Sequence, residues 1–419
     1  MKNSIRIRAL YVLLVLVLVL PIAVLSCAAT EEEEEEIEEE IRIGLIVPLG
    51  DITGDNGRKG ALLAEEQIND AGGVLGRRVK VVVADDEAQP DKGAAAVDRL
   101  ATVDNVDVFI TGAFSAVHMA QIPRFKVYKR VTLCTGAASS LCEQAIGADS
   151  DWYFHLFPWD YMQAQDYLEN WKALLKAYPA VDASRFFIAY EEGPFGTSSY
   201  NLSVMLFTML GATVSGESFK SAAMGGGDYS AVLQHAKDAN PSIFTWVGYA
   251  ADALPIMQQA KMINFAPRLF AGSPPGWPPD FGESPLSEGV VFYEVWTPAL
   301  TEVSPVAKRF YDDYVERWGE PPVNVCAPLL YSAVQIVAEA IERAGTTETE
   351  ALISALEETE YLSPMLQVIM FAPSKIIKHQ SQLRPNVCQW QRGRPEIVYH
   401  PLGRNTSVLI YPFPSWEGR

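Results

Sequence analysis

Residues 41–87 read IRIGLIVPLGDITGDNGRKGALLAEEQINDAGGVLGRRVKVVVADDE. The opening IRIGLIVPL is a short apolar run that is typical of a buried strand, and RRVKVVVADDE at the end is a second one. Between them, GRKGALLAEEQINDAGG has helical spacing and finishes in paired glycines, which commonly end a helix. A strand, a helix and a second strand in this order predict a βαβ unit whose strands lie parallel in one sheet.

The same alternation continues beyond this unit. It runs up to VTLCTG at 131–136, is interrupted by the irregular DWYFHLFPWDYMQAQ at 151–165, and resumes up to PRLFAGS at 267–273. From Gly289 a return strand, GVVFYEVWTP, is followed by two helical stretches and a tail with strand-like pieces. We therefore expect an α/β protein of two doubly wound parallel-sheet lobes, each discontinuous in sequence.

The first 26 residues have the layout of a secretory signal peptide, with a basic start before an uncharged stretch at 9–25. An uncleaved membrane anchor is the alternative, although the stretch is short for a span. Residues 24–27, VLSC, resemble a bacterial lipobox. This implies that Cys27 is lipidated and anchors the protein outside the cytoplasm, with an incidental thiol as the competing interpretation. Residues 27–40, rich in glutamate, are expected to form an extended linker.

The charge of the chain and its motifs exclude several classes of function. The formal net charge is −19, which argues against nucleic acid or anionic lipid as a partner because both need clustered Lys or Arg. The sequence contains no GxxxxGK[ST] loop, no HExxH and no GxSxG elbow. Asp85, Asp86 and Glu87 are adjacent, which is more typical of a solvated turn than of a metal site. We therefore expect a binding protein without catalytic residues, metal or cofactor, and not an enzyme.

Four cysteines follow Cys27, and an exported protein can oxidise them. Cys134 and Cys142 close a short loop, so we expect a disulfide between them and a second one between Cys326 and Cys388. Buried free thiols are the alternative.

Several stretches resemble the leucine/isoleucine/valine-type periplasmic binding proteins, the solute receptors of ABC transporters for branched-chain amino acids and related compounds. INDAGGVLGRRVKVVVADDEAQP at 68–90 is the most specific of them, and VDVFITGAFSAVHMAQIP at 106–123 and TGAASS at 135–140 follow in the family's order. The resemblance covers about residues 41–401.

The resemblance implies a type I fold of two lobes that close by hinge motion around a small ligand with a carboxylate, such as a branched-chain amino acid or a related aromatic acid. It also implies ABC permease subunits as partners and contact with the membrane only through the lipid anchor. A ligand-sensing input for a separate signalling partner is the alternative, and an extracytoplasmic enzyme is less favoured. The implied parts are lobe 1 at 41–157 plus 297–362, lobe 2 at 158–290 plus 370–412, and hinges near 154–160, 289–298 and 362–371.

Members of this family grip the ligand carboxylate with backbone N–H groups and hydroxyls from first-lobe loops, and the second lobe supplies aromatic side chains. The matching first-lobe loops here are 51–54, 113–116 and 136–140. For the serines, a turn residue that bonds its own backbone is the competing interpretation; for the aromatics it is core packing. The expected ligand-binding residues are Thr53, Ser115, Ala116, Ala138 and Ser139 in the first lobe, and Phe195, Tyr249 and Ser273 in the second.

The sequence departs from the amino-acid binders at one position. Ser273 or Pro274 stands where those proteins place a carboxylate for the ligand ammonium group. Burying an unpaired ammonium group in a closed cleft costs on the order of several kcal/mol of binding free energy. We therefore hypothesise that the ligand lacks an α-ammonium group, or that another acid such as Asp252 replaces the missing one. Trp277 in the same loop is expected to add an apolar wall or to be part of a Pro-rich surface loop.

Overall fold

A computed structural model of the protein describes residues 40–112, 114–272, 277–400 and 403–417. The signal peptide, the lipidation at Cys27 and most of the acidic linker lie outside the described residues, as does Ser273. None of the helices in the described part of the chain is long and apolar enough to cross a membrane.

The first sheet has six parallel strands in the order β13-β5-β4-β3-β1-β2. β1 pairs parallel with β2, as the βαβ unit at 41–87 predicts, and the register runs from Ile41 opposite Val79 to Val47 opposite Asp85. Buried aliphatic side chains fill these strands on both faces, which is the pattern of a parallel sheet covered by helices. The strands are β1 (Ile41–Val47), β2 (Val79–Asp85), β3 (Val108–Thr111), β4 (Thr132–Cys134), β5 (Tyr153–His155) and β13 (His379–Gln380).

The second sheet has seven strands in the order β15-β14-β10-β9-β8-β6-β7. Its strands are parallel from β7 to β10, whereas β14 pairs antiparallel with both β10 and β15. The strands are β6 (Arg185–Glu191), β7 (Thr213–Phe219), β8 (Ile243–Val247), β9 (Leu269–Gly272), β10 (Val291–Glu294), β14 (Asn386–Gln391) and β15 (Arg394–Tyr399). A separate antiparallel pair consists of β11 (Tyr361–Leu362) and β12 (Val368–Ile369).

Helices connect the strands, and their ends follow local chemistry. The first helix begins after Asp51, whose carboxylate accepts the N–H of Thr53, and ends before Gly72 and Gly73, which both have positive φ. The helices are α1 (Ile52–Asp70), α2 (Pro90–Thr102), α3 (Ser115–Tyr128), α4 (Ser140–Ile146), α5 (Asp160–Ala177), α6 (Pro194–Met209), α7 (Ser230–Ala239), α8 (Ala250–Met262), α9 (Pro279–Glu283), α10 (Pro305–Trp318), α11 (Cys326–Ala344) and α12 (Thr349–Glu357).

A late helix, α11, packs against the early helix α1. Glycines allow this close approach, because a Cβ on Gly60 would lie 2.0 Å from the carbonyl oxygen of Ala327. Chain that follows β10 of the second sheet therefore returns to complete the first lobe, as the expected discontinuous lobes require.

The chain passes between the two sheets three times. The first passage lies between β5 and α5, the second follows β10, and the third lies between Gln380 and Asn386. The expected third hinge near 362–371 is therefore wrong, and residues 379–380 do not belong with the second lobe. The reason is that His379 and Gln380 pair with Phe154 and His155 in the first sheet.

The expected disulfides are also wrong, since all four cysteines after Cys27 are free thiols. The Cys134 thiol is directed at the carbonyl oxygen of Gly136, and burial raises its pKa to about 12. The Cys142 thiol is directed at the carbonyl oxygen of Ser115. Cys326 begins α11 in the first lobe, whereas Cys388 lies in β14 of the second sheet. The alternative of buried free thiols describes Cys134, Cys142 and Cys388, and Cys326 is partly buried.

Candidate ligand-binding site

A cavity of about 50 Å³ lies between the two sheets, near the ends of several parallel strands. Open α/β sheets commonly bind ligands at the carboxyl ends of their strands. A space of this size holds about four water molecules, which fits a small solute. Its lining includes residues of both lobes and of the passages between them, among them Ser115, Ala138, Phe157, Tyr167, Phe195, Tyr249, Tyr293 and Glu294.

The first-lobe side of the cavity is formed by the start of α3 and the loop after β4. Ser115 and Ala138 both line it, as expected, and the Ser115 hydroxyl accepts the N–H of Ser139 at 3.3 Å. The residue before α3, Phe114, gives the helix no side-chain cap. The first-turn N–H groups of α3 therefore have no intrahelical acceptor and suit an anionic group. Ala116, which was also expected to bind the ligand, is not among the lining residues.

Ser139 lies at the boundary between the lobes and not in the cavity lining. It is fully buried, its side chain accepts the N–H of Leu141 as the cap of α4, and its hydroxyl lies 3.1 Å from that of Ser198. The same hydroxyl is 3.2 Å from the carbonyl oxygen of Pro194. Because Pro194 and Ser198 belong to α6 of the second lobe, this serine joins the two lobes directly.

Thr53 also lies outside the cavity lining. Its backbone N–H and its hydroxyl both donate to the Asp51 carboxylate, at 2.9 and 2.5 Å. The structure therefore uses this side chain at the start of α1, which is the role of a turn residue.

The second-lobe side of the cavity is aromatic. Phe195 and Tyr249 line it as expected, with ring centroids 5.8 Å apart. Tyr249 also contacts Phe114 of the first lobe at 4.5 Å between centroids. Sequence reasoning missed two further rings, Tyr167 and Tyr293, which stack on each other at 4.2 Å. The Phe114–Tyr249 contact joins the two lobes across the cleft.

Asp252, the acid suggested as a replacement, does not serve the cavity. Its side chain is fully buried and does not line the space. The carboxylate accepts hydrogen bonds from the Ser221 hydroxyl, the Tyr229 hydroxyl and the N–H groups of Ala222 and Tyr249. Four donors occupy its lone pairs, so it holds the start of α8 in place and has no capacity left for an ammonium group.

Sequence reasoning missed Glu294, at the end of β10. Among the described residues that line the cavity, it is the only Asp, Glu, Lys, Arg or His. The residue is 6% exposed, and its carboxylate accepts the N–H of Val295 at 2.8 Å. Burial raises the pKa of this carboxyl to about 8. A lone Glu within the apolar strand GVVFYEVWTP was the signal in the sequence.

Trp277 and Asp85 both lie outside the cavity lining. Trp277 is 3% exposed and packs at 5.0 Å on Phe292 and 5.8 Å on Trp390 in the second-lobe core, so it does not wall the cavity. Asp85 accepts the N–H groups of Leu49 and Glu87, which is turn chemistry. In the described ranges no group of three His, Cys, Asp or Glu side chains could hold a metal ion.

Comparison with known proteins agrees with this geometry. A family model described as "Periplasmic binding protein" matches residues 40–391. The chain belongs to the leucine/isoleucine/valine-type periplasmic binding protein family. A curated relative, the "Leucine-, isoleucine-, valine-, threonine-, and alanine-binding protein" of Pseudomonas aeruginosa, is 24% identical over 78% of this chain and 84% of its own length.

Solved structures share the type I periplasmic binding protein fold. The branched-chain amino acid transporter substrate binding protein LivJ of Streptococcus pneumoniae, in complex with isoleucine, has a TM-score of 0.74 at 20% identity and covers 89% of this chain and 100% of its own. A solute binding protein of an R. palustris ABC transporter, in complex with benzoate, has a TM-score of 0.74 at 16% identity and covers 86% and 96%. At these identities the likeness establishes the fold alone.

Proposed function

We propose that this periplasmic binding protein is the extracytoplasmic solute receptor of an ABC importer and closes its two lobes around a small ligand that bears a carboxylate. The observation that carries the proposal is the cavity itself, which lies between the lobes and is lined from both. The Ser139–Ser198 and Phe114–Tyr249 contacts close the cleft around it. Closure of this kind is the signal that a permease can recognise.

A carboxylate suits the first-lobe side of the cavity. Ser115 and Ala138 line this side, α3 begins at Ser115, and N–H groups at a helix start attract anions. The aromatic second-lobe side suits an apolar body. Relatives of the same fold were solved with isoleucine, leucine, benzoate and 3,4-dihydroxy benzoic acid, all of which have this combination.

The proposal also includes the position of the protein in the cell envelope. The family is one of extracytoplasmic solute-binding proteins, and we propose that Cys27 carries a lipid that holds the protein near its permease through the acidic linker. Fourteen linker residues reach roughly 45 Å when extended. Like charges favour that extension.

A thermal-shift screen tests the ligand class. The panel pairs leucine, isoleucine, benzoate and butanoate with their primary amides, which keep the body of each ligand and lack the carboxylate. We expect at least one carboxylate to raise the melting temperature by several degrees and its amide to have little effect. Equal stabilisation by acid and amide would contradict the carboxylate grip, and turnover of any probe would contradict the receptor function.

A further inference from the structure

The second sheet ends in an open edge, formed by β7 and called here the β7 edge. β7 is the last strand of the sheet, and all seven of its residues pair with β6 without a bulge. At its two ends, the N–H of Thr213 and the carbonyl oxygen of Phe219 both bond on the β6 side. Backbone groups alternate in direction along a parallel strand, so the N–H and C=O groups at the even positions point away from the sheet. These positions are Val214, Gly216 and Ser218, and no strand or loop backbone of the described chain bonds them there.

The other long sheet edges are protected, whereas the β7 edge is not. At the β2 edge of the first sheet, the Asn69 side chain bonds both the N–H and the C=O of Val79. At the opposite edge of the second sheet, the C-terminal tail covers β15, since the N–H of Thr406 donates to the carbonyl oxygen of Ile397. Proteins cap, cover or charge an edge strand in these ways to prevent pairing with another chain. β7 contains neither Lys nor Pro, and Glu217 is its one charged residue.

The helix beside this edge carries no charge either. Tyr200 of α6 lies over β7, because a Cβ on Gly216 would lie 2.5 Å from the Cε2 atom of its ring. Residues 193–216 contain no Asp, Glu, Lys, Arg or His, although charged residues make up 20% of the chain. Met205 and Met209 of the same helix are 54% and 75% exposed. An uncharged helix with exposed apolar side chains beside an unprotected strand marks an interaction surface.

The pattern of the β7 edge is complementary to itself. When two copies pair antiparallel about a two-fold axis through Gly216, each Gly216 faces the other, and Val214 faces Ser218 of the second copy. Every outward N–H then meets an outward C=O. Among the residues between them, Glu217 faces Ser215 of the second copy and not the second Glu217. Like charges are therefore not directly opposed across the joined strands.

We infer that the protein forms a two-fold dimer in which the β7 edges of two copies pair antiparallel and join their second sheets. Charge favours a second copy as the occupant of this edge. The chain has a formal net charge of −19, so two copies repel one another except where both surfaces are uncharged. The surface at 193–216 meets that condition, and its backbone groups match those of a second copy in one register. The inference does not depend on the proposed ligand.

Sedimentation velocity of the mature wild-type protein tests whether the dimer forms. We expect the average mass to rise with concentration from that of one chain toward that of two. Over the same range, hydrogen exchange in a peptide that covers 213–219 should slow, because the outward amides become bonded. A protein that stays monomeric up to about 1 mM, the range of very weak complexes, would show that the inference is wrong, including the case in which an extended segment of another protein pairs with the edge.

A pair of variants at Ser215, which is exposed, tests the register. Ser215→Glu places a like charge opposite Glu217 of the second copy, and Ser215→Lys places an opposite charge there, each at two symmetric positions. We expect the first to weaken the dimer about 2- to 30-fold and the second to strengthen it by a similar factor. Met262→Glu is the control, since Met262 is 82% exposed on α8, and it should associate as the wild type does. Equal effects of Glu and Lys at position 215 would overturn the proposed pairing.

Ser218→Pro tests the outward backbone groups. Proline removes an N–H that points away from the sheet and no bond to β6, so we expect a folded monomer. A folded Ser218→Pro protein that dimerises as strongly as the wild type would refute the inference. If this variant does not fold, the opposite effects expected of Ser215→Glu and Ser215→Lys still decide the question.

Discussion

Removing the hydroxyl of Ser139 should loosen the closed form of the protein. The Oγ atom lies 3.1 Å from that of Ser198 and 3.2 Å from the carbonyl oxygen of Pro194, both in the opposite lobe. A hydroxyl has one proton, so Ser139 donates one of these two bonds at a time. One neutral hydrogen bond contributes about 1 kcal/mol, which corresponds to about a fivefold change in the ratio of closed to open protein.

Ser139→Ala has a second effect, because the same oxygen caps α4 through the N–H of Leu141. Loss of an N-cap costs about 1 kcal/mol of unfolding free energy. Ser198→Ala leaves the cap intact and removes only one of the two partners across the lobes, because the carbonyl oxygen of Pro194 can still accept the Ser139 hydroxyl. We expect Ser139→Ala to raise the dissociation constant of a bound probe about fivefold and to lower the free energy of unfolding, and Ser198→Ala to raise the dissociation constant by less and to leave the cap's contribution to unfolding intact.

The assays are isothermal titration with whichever acid stabilises the wild type, urea unfolding, and small-angle X-ray scattering without ligand, in which an open cleft raises the radius of gyration. The double variant should bind no more weakly than Ser139→Ala, because Ser139→Ala already removes both contacts of this hydroxyl with the second lobe. If Ser139→Ala weakens binding far more than fivefold, the hydroxyl of Ser139 contacts the ligand, and the reasoning from the contacts between the lobes is refuted.

Four other predictions concern stability, redox state and anchoring. Gly60→Ala should lower the free energy of unfolding, measured with urea, by about 3 kcal/mol, because the added Cβ would meet the α11 backbone. Gly50→Ala is the control, since its Cβ would lie in open space, and it should change the free energy of unfolding by less than about 0.5 kcal/mol. Burial raises the pKa of Asp86 from 3.8 to about 6, so its contribution to stability is complete below pH 3.8 and is lost as the pH rises through 6. Asp86→Asn should flatten this decline and stabilise the protein at pH 7 by up to about 3 kcal/mol; an unchanged profile of unfolding against pH would contradict it. A thiol reagent in denaturant without reductant should find four free thiols in residues 41–419, and a count of two would restore a disulfide. Cys27→Ala should move the protein from the membrane fraction to the soluble fraction or leave the leader uncleaved, and normal anchoring of the variant would contradict lipidation.

The sequence predicts the sheets well because their signal is local. The βαβ unit at 41–87 has long apolar runs and a helix with clear ends, and the observed parallel pairing of β1 with β2 follows from it. The third passage could not be predicted in the same way. The strand β13 has only two residues, His379 and Gln380, and its place in the first sheet depends on pairing with a strand more than 200 residues earlier. Two residues have no period, so no pattern distinguishes such a strand from a loop.

The same difference between local and distant signals separates the site residues that could be predicted from those that could not. Ser115, Ala138, Phe195 and Tyr249 could be placed because each follows or starts an element whose position the pattern predicts. The free state of the thiols and the hydrogen bonds of Asp252 could not be predicted, since a sequence does not show which way a side chain points or how many donors surround it. The hydrogen bonds that occupy Asp252 come partly from residues about 30 positions earlier in the chain.

The strand β10 connects the ligand site to the hinge. Tyr293 and Glu294 line the cavity at its end, and the next two residues enter the first lobe, where the Trp296 ring packs on Phe310 at 5.6 Å and its indole N–H donates to the carbonyl oxygen of Pro322. The backbone of the second passage therefore also positions the one Asp, Glu, Lys, Arg or His side chain in the described lining. A ligand in this cavity lies against the second passage as well as against the inner faces of the lobes. Four consecutive residues, 293–296, thus join the wall of the cavity to the core of the first lobe.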